Sequence, residues 1–245
     1  MIYRDLCKTR YDKELPSWPC PACDRGVLRP KNPAATPERL PGQGVAYGIG
    51  EGYIGHDDDE GVFTARFVCQ MCDQGVVAIG DYKASMGYHD HNGYEIDYRY
   101  TVRDIHPAPR IIPVPEDGTP EPVAGALRRA FALYWRDPQA CAATIRVAIE
   151  AVVDHLGVGR KDPKGGGWRS LERRLQLLGE GHTDLVEAAR AIKGLGNEGA
   201  HGDAVDLDKL LDAFELIEFE LRRLFADEAG RRRELLARLT PKKGG

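Results

Sequence analysis

Four of the six cysteines sit in two copies of one pattern: CPACDRGVL begins at Cys20 and CQMCDQGVV at Cys69. Both read Cys-x-x-Cys-Asp-x-Gly-Val and then an aliphatic residue. Two Cys-x-x-Cys turns supply the number and type of ligand that tetrahedral zinc takes. Such a turn aims both sulfurs into one space while nearby backbone amides donate to them. The glycines that follow, Gly26 and Gly75, are expected to allow a backbone conformation that other residues resist. Facing each other, the two knuckles close a four-thiolate site with no open position, so Cys20, Cys23, Cys69 and Cys72 are expected to hold a structural Zn2+. A redox Cys-x-x-Cys normally stands alone at a helix start in a βαβ setting, and neither copy has that context. Cys7 and Cys141 stand outside the pattern and read as small semi-buried thiols.

Other polar clusters carry weaker chemistry. His56-Asp57-Asp58-Asp59-Glu60 would attract a hard cation, but a solvated loop tip is the preferred reading. His89 and His91 flank Asp90 just before Asn92-Gly93, a two-residue hairpin signal; a polar turn is preferred there over a second metal. KDPKGGGW, from Lys161, lacks the Gly-Lys-Ser/Thr ending of a phosphate-binding loop and reads as an ordinary loop.

The elements that must position the cysteines are strands. Val62–Val68 precedes the second knuckle and Val76–Ile79 follows it, the arrangement of a zinc ribbon. Further on, YEIDYRYTVR alternates: Tyr94, Ile96, Tyr98, Tyr100 and Val102 share one face, and Glu95, Asp97, Arg99, Thr101 and Arg103 the other. A tyrosine stripe can stack bases; packing on a core is the preferred reading. The stretch between the knuckles is rich in Pro and Gly and reads as an irregular insertion.

From Val123 onward the period lengthens to about 3.6. Helices are expected over approximately 122–135, from 138 to 155 or 156, over 170–178 and 183–195, and from about 206 to 225. Asp137-Pro138 forms an N-cap and N1 pair. Cys141, Ile145, Ala148, Ile149, Val152 and Leu156 make one buried stripe. Leu207, Leu210, Leu211, Phe214, Ile217, Leu221 and Leu224 make another. GLGNEGAHGD, from Gly194, reads locally as an inter-helix loop.

The expected class is α+β, with a small N-terminal β-rich zinc ribbon over 1–105, carrying its irregular insertion at about 31–61. A proline-rich linker follows over 106–121, then an antiparallel helical bundle over 122–226 and a basic tail over 227–245. The formal net charge is −4, split as −6 over residues 1–122 and +2 over 123–245. Neither half is the basic block that grips a duplex through its phosphates. No apolar run is long enough to span a bilayer, and the charged N-terminus lacks a signal-peptide core, so a cytoplasmic protein with no membrane partner is expected.

RVAIEAVVDHLG, from Arg146, followed by AIKGLGNEGAHGD, from Ala191, resembles the HEPN-like helical domain. The similarity is to a poorly characterised bacterial branch found with restriction and phage-defence genes, in which a cysteine-pair zinc module often precedes the helices. The resemblance covers 122–226 and implies a helical bundle, frequently a homodimer with its motif segments at the interface. Many HEPN proteins are metal-independent ribonucleases that use Arg-polar-x-x-x-His, in which the arginine stabilises phosphate charge and the histidine serves 2′-hydroxyl cleavage. On that motif Asn197 takes the polar position and His201 the histidine. Gly196, however, stands where the arginine belongs. Arg190 and Lys193 lie one or two turns upstream at a different spacing, and Arg146 and Glu150 match polar positions of the branch. As a bare i, i+4 pair the latter two are worth only about 0.3 kcal/mol, and a solvated pair and a site shared with Asn197 and His201 both stay open.

The function expected is therefore a non-catalytic or weakly catalytic HEPN-like protein that binds RNA or other proteins within a prokaryotic defence system. The alternatives are an active ribonuclease toxin working through His201, with Arg146, Arg190 or Lys193 as a displaced cation, and a protein–protein scaffold.

Overall fold

A computed structural model describes residues 4–39 except 24, 59–89, 93–115, 118–200 except 163, 164 and 166, 205–226, and 236, 238 and 239. The class is α+β. A five-stranded antiparallel sheet is built from β1 (Arg10–Asp12), β2 (Leu28–Arg39), β3 (Asp59–Cys69), β4 (Gly75–His89) and β5 (Gly93–His106), in the order β1-β5-β4-β3-β2. Five α-helices follow among the described residues: α1 (Glu121–Tyr134), α2 (Pro138–His155), α3 (Leu171–Leu178), α4 (Thr183–Ala200) and α5 (Leu207–Phe225). The chain divides into two compact units. One comprises Tyr3–Ile111 with Arg128–Cys141; the other comprises Met1–Ile2, Ile112–Leu127 and Ala142–Gly245.

The strand unit follows period-two burial. Phe63, Ala65, Phe67 and Cys69 of β3 are buried, as are Val76, Ala78, Tyr82 and Ala84 of β4. Val62, Val77 and Ile79 on the opposite face are exposed. Each fully buried Phe adds roughly 1.5–3 kcal/mol by leaving water. Of the tyrosine stripe, Tyr100 and Val102 are buried and Tyr98 half-buried, while Ile96 is exposed. Tyr100 meets Phe63 edge-on at 5.0 Å and stacks on Tyr98 at 5.9 Å, so Tyr100 belongs to the core.

Two strand features depart from the sequence expectation. Residues 31–39, read as irregular, continue β2. β2 is an edge strand, the place in a sheet where prolines are tolerated because one side of the strand makes no ladder bonds, and its register shifts between Pro30 and Ala35. Gly93 already pairs with His89, so the β4–β5 connection is residues 90–92, outside the described residues. Gly80 sits at a register shift where β4 meets β5, and a Cβ there would stand 2.0 Å from the Thr101 carbonyl oxygen.

Residues 128–141 pack within the same unit. Tyr134 donates its hydroxyl to the Cys7 carbonyl at 2.8 Å, and the Trp135 indole donates to the Lys8 carbonyl at 3.1 Å. Trp18, fully buried, meets Trp135 and Phe67 edge-on.

Along the helices the caps act locally. The Asp137 carboxylate accepts from the Ala140 amide at 2.9 Å, Ser170 from the Arg173 amide at 3.3 Å, and Asp206 from the Asp208 amide at 2.9 Å. Each satisfies an orphan N–H of the first turn. The segment expected to be a loop is helical through Ala200: α4 runs on across Gly194, Gly196 and Gly199, although each glycine costs about 1 kcal/mol relative to alanine.

Candidate metal centre and the polar sites of the helices

Pairing of β2 with β3 brings the knuckles together, since Leu28, just after the first, lies opposite Cys69, which opens the second. The Cys20 amide donates to the Gly26 carbonyl at 2.9 Å and the Cys69 amide to the Gln74 carbonyl at 2.9 Å, closing the two turns in parallel fashion. In each, the amide two residues on donates to the first sulfur: Ala22 to Cys20 Sγ at 3.3 Å, Met71 to Cys69 Sγ at 3.4 Å. The four sulfurs all lie within 4.8 Å of one another. Cys20 and Cys72 Sγ are 3.6 Å apart, and Cys23 and Cys69 Sγ 3.7 Å. A tetrahedral ion with 2.3 Å bonds to sulfur sets its ligands about 3.8 Å apart. The four cysteines therefore fit a zinc-sized ion.

The glycine expectation is corrected in detail. Gly26 is required by space: a Cβ would stand 2.1 Å from Cys69 Sγ and 2.8 Å from Cys23 Sγ. Gly75 meets nothing within 4 Å. The left-handed residue of the second knuckle is instead Asp73, at φ 57°, a conformation that Asp tolerates better than most residues.

As free thiols, Cys20 and Cys69 would hold their protons unequally. Burial raises Cys69, but the Met71 and Cys72 amides together with the Cys20 and Cys72 thiols outweigh it and hold Cys69 down at about 7. Burial, chiefly, pushes Cys20 up. A divalent cation makes thiolates of all four, so uptake of metal expels protons. Cys7 and Cys141 are both buried, and burial pushes the Cys7 thiol up to about 12.

On the helices, Arg146 Nε donates to Glu150 Oε1 at 3.3 Å, and Arg160 approaches the other Glu150 oxygen at 3.6 Å. Arg160 also binds Asp154 at 3.2 Å. Next to this cluster lies a residue that sequence reasoning missed. Arg174 of α3 is 1 % exposed, and its guanidinium donates to the Val158 carbonyl at 2.9 Å, the Glu150 carbonyl at 3.2 Å and the Asp154 carboxylate at 2.6 Å. Its signal was present: Arg174 sits between Leu171 and Leu175 on the buried face of α3. The two other suggested cations share one carboxylate, with Arg190 donating to Glu172 at 2.9 Å and Lys193 at 3.3 Å. Arg190 first and Lys193 next hold the Glu172 carboxyl below its ordinary range.

Residues 128–239 match a family described as a domain of unknown function, DUF4145. No curated protein and no solved structure matches the chain. The DUF4145 match takes in Arg146, Glu150, Arg174, Arg190 and Lys193, as well as Asn197 and His201. Asn197 lies near the end of α4; its side chain, and the whole of His201, fall outside the described residues, as do His91 and residues 56–58. Asp59 and Glu60 lie in β3, and Glu60 pairs with Lys83 at 2.8 Å. No described helix is long and apolar enough to cross a membrane. A cavity of about 260 Å3 is lined by Asp12, Lys13, Lys83, Ser85, Asp97 and Arg99, among others. Arg99 is paired there with Asp12 at 3.0 Å.

Proposed function

We propose that this chain is a zinc-ribbon protein whose helices form an HEPN-like bundle, binding RNA or a protein partner in a prokaryotic defence system with little or no catalysis. One observation carries the preference for binding over cleavage. Each cation suggested as a stand-in for the arginine missing at Gly196 is already engaged by a carboxylate: Arg146 by Glu150, and Arg190 and Lys193 together by Glu172. A guanidinium or ammonium so engaged must loosen an existing ion pair before it can stabilise the charge of a phosphoryl transition state. The DUF4145 match over 128–239 overlaps the span of the HEPN resemblance and supports treating the helices as one module. The four cysteines support a structural role for zinc, because a site closed by four thiolates leaves no coordination position for substrate. A homodimer is the assembly implied by the resemblance.

The test is incubation of purified protein with total RNA and with tRNA, with and without EDTA, beside His201→Ala. Retention of RNA without cleavage is the expected result. EDTA-resistant cleavage that disappears in the variant would establish an active ribonuclease and overturn the preference. Recovery of protein without RNA in a pull-down would favour the scaffold.

A further inference from the structure

We propose that the cysteine site is also an oxidation site, at which a peroxide acting on Cys72 joins Cys72 to Cys20 in a disulfide that bridges the two knuckles and expels the metal. This rests on reading the four cysteines as a zinc site.

The sulfurs differ sharply in access. Cys20 and Cys69 are 0 % exposed, Cys23 is intermediate and Cys72 is exposed. Cys72 is thus the sulfur an oxidant reaches first, since it is the exposed one of the four and susceptibility rises with access. The Cys20 sulfur, on the other knuckle, lies 3.6 Å away. Formation of a 2.05 Å bond requires the two sulfurs to close by about 1.5 Å. Cys69, the remaining partner within the same knuckle, lies against Cys23 at 3.7 Å and accepts the Met71 amide. These two close approaches run between knuckles, within a cluster whose four sulfurs all lie within 4.8 Å of one another.

The Cys72 thiolate attacks the peroxide, the O–O bond breaks, and Cys72 becomes a sulfenic acid as hydroxide leaves. The Cys20 thiolate then attacks that sulfur, the S–S bond forms and a second hydroxide leaves. Two thiolates have lost two electrons, and the peroxide has been reduced to two waters by taking up two protons from solvent. Cys23 and Cys69 remain, two thiolates where tetrahedral zinc takes four ligands. The new disulfide ties the segments that the metal had tied, so the oxidised chain exchanges an ionic clasp for a covalent one.

The experiment treats the zinc-loaded full chain with graded hydrogen peroxide. Free zinc is read with a chromophoric chelator, and disulfides are mapped by mass spectrometry of non-reduced peptides. Met71, 65 % exposed beside the site, serves as an internal gauge of oxidant dose through its sulfoxide. The expected result is loss of two thiols per zinc released and Cys20–Cys72 as the first disulfide, with Cys7 and Cys141 unmodified. Dithiothreitol with added zinc should reverse the change, and a Cys7→Ala, Cys141→Ala double variant should behave identically. A first disulfide within one knuckle would overturn the proposal. Zinc retained at doses that already convert Met71 to its sulfoxide would do the same, as would zinc release without a disulfide. A chain that binds no zinc before peroxide is added would instead reject the metal reading, and the oxidation step with it.

Discussion

At the scale of single residues, two glycines in equivalent sequence positions have different reasons to be there. Gly26 leaves room for two sulfurs, whereas Gly75 has open space around it. Gly26→Ala should therefore abolish stoichiometric zinc binding while Gly75→Ala preserves it, as metal analysis of the two purified variants would show. Equal retention by both would contradict the steric account. Cys7 offers a second residue-scale test. Burial raises its thiol from 9.0 to about 12, so at pH 8 its thiolate is roughly a thousandfold scarcer than that of an ordinary cysteine. Alkylation of Cys7 in the folded protein should lag that in urea by at least about a hundredfold. Linkage carries the same sign: between pH 9 and 12 the unfolded thiol has ionised and the folded one has not. The native state then holds more protons, and stability present below pH 9 is lost as pH rises. Cys7→Ala should flatten part of the alkaline fall in the urea midpoint; an unchanged slope would place the proton uptake elsewhere.

At the scale of elements, α3 is held by a buried cation. Arg174 satisfies two carbonyls and the Asp154 carboxylate with one guanidinium, a geometry that a planar fork provides and an ammonium does not. Arg174→Ala should cost about 3 kcal/mol in urea unfolding, because it leaves a carboxylate and two carbonyls short of partners. Arg174→Lys should recover less than half of that loss. Full recovery with lysine would mean that charge alone matters at this position. The helix ends were legible beforehand because Asp137, Ser170 and Asp206 act on amides two or three residues away. The extent of α4 was not, since three glycines in seven residues argue locally for a break.

At the scale of the whole molecule, the chain is two compact units, and the four cysteines belong to one of them. Chelation of the metal should accordingly raise amide exchange across β2, β3 and β4, which run out of the knuckles, and leave α4 and α5 as they were. Hydrogen-exchange mass spectrometry with and without a strong chelator reads both regions at once. A uniform rise across the two units would show that the metal stabilises more than the sheet. The α+β class and the grouping of the four cysteines that underlie this prediction were both readable from the primary structure, because Cys-x-x-Cys spacing, two-residue alternation and 3.6-residue periodicity are local patterns.

The sequence by itself determined which four cysteines come together, where the strands give way to helices, and that Asp137 caps the helix it precedes. Only the tertiary structure decided the rest. It set β2 at the sheet edge, where prolines are tolerated, and took α4 through the glycines to Ala200. It also gave Glu172 to Arg190 and Lys193, and put Arg174 in the interior. The physical reason is range. Spacing and capping act within a few residues, whereas edge position, burial and the choice of ion-pair partner depend on groups far apart in the chain, and these meet only once strand register and helix packing are set.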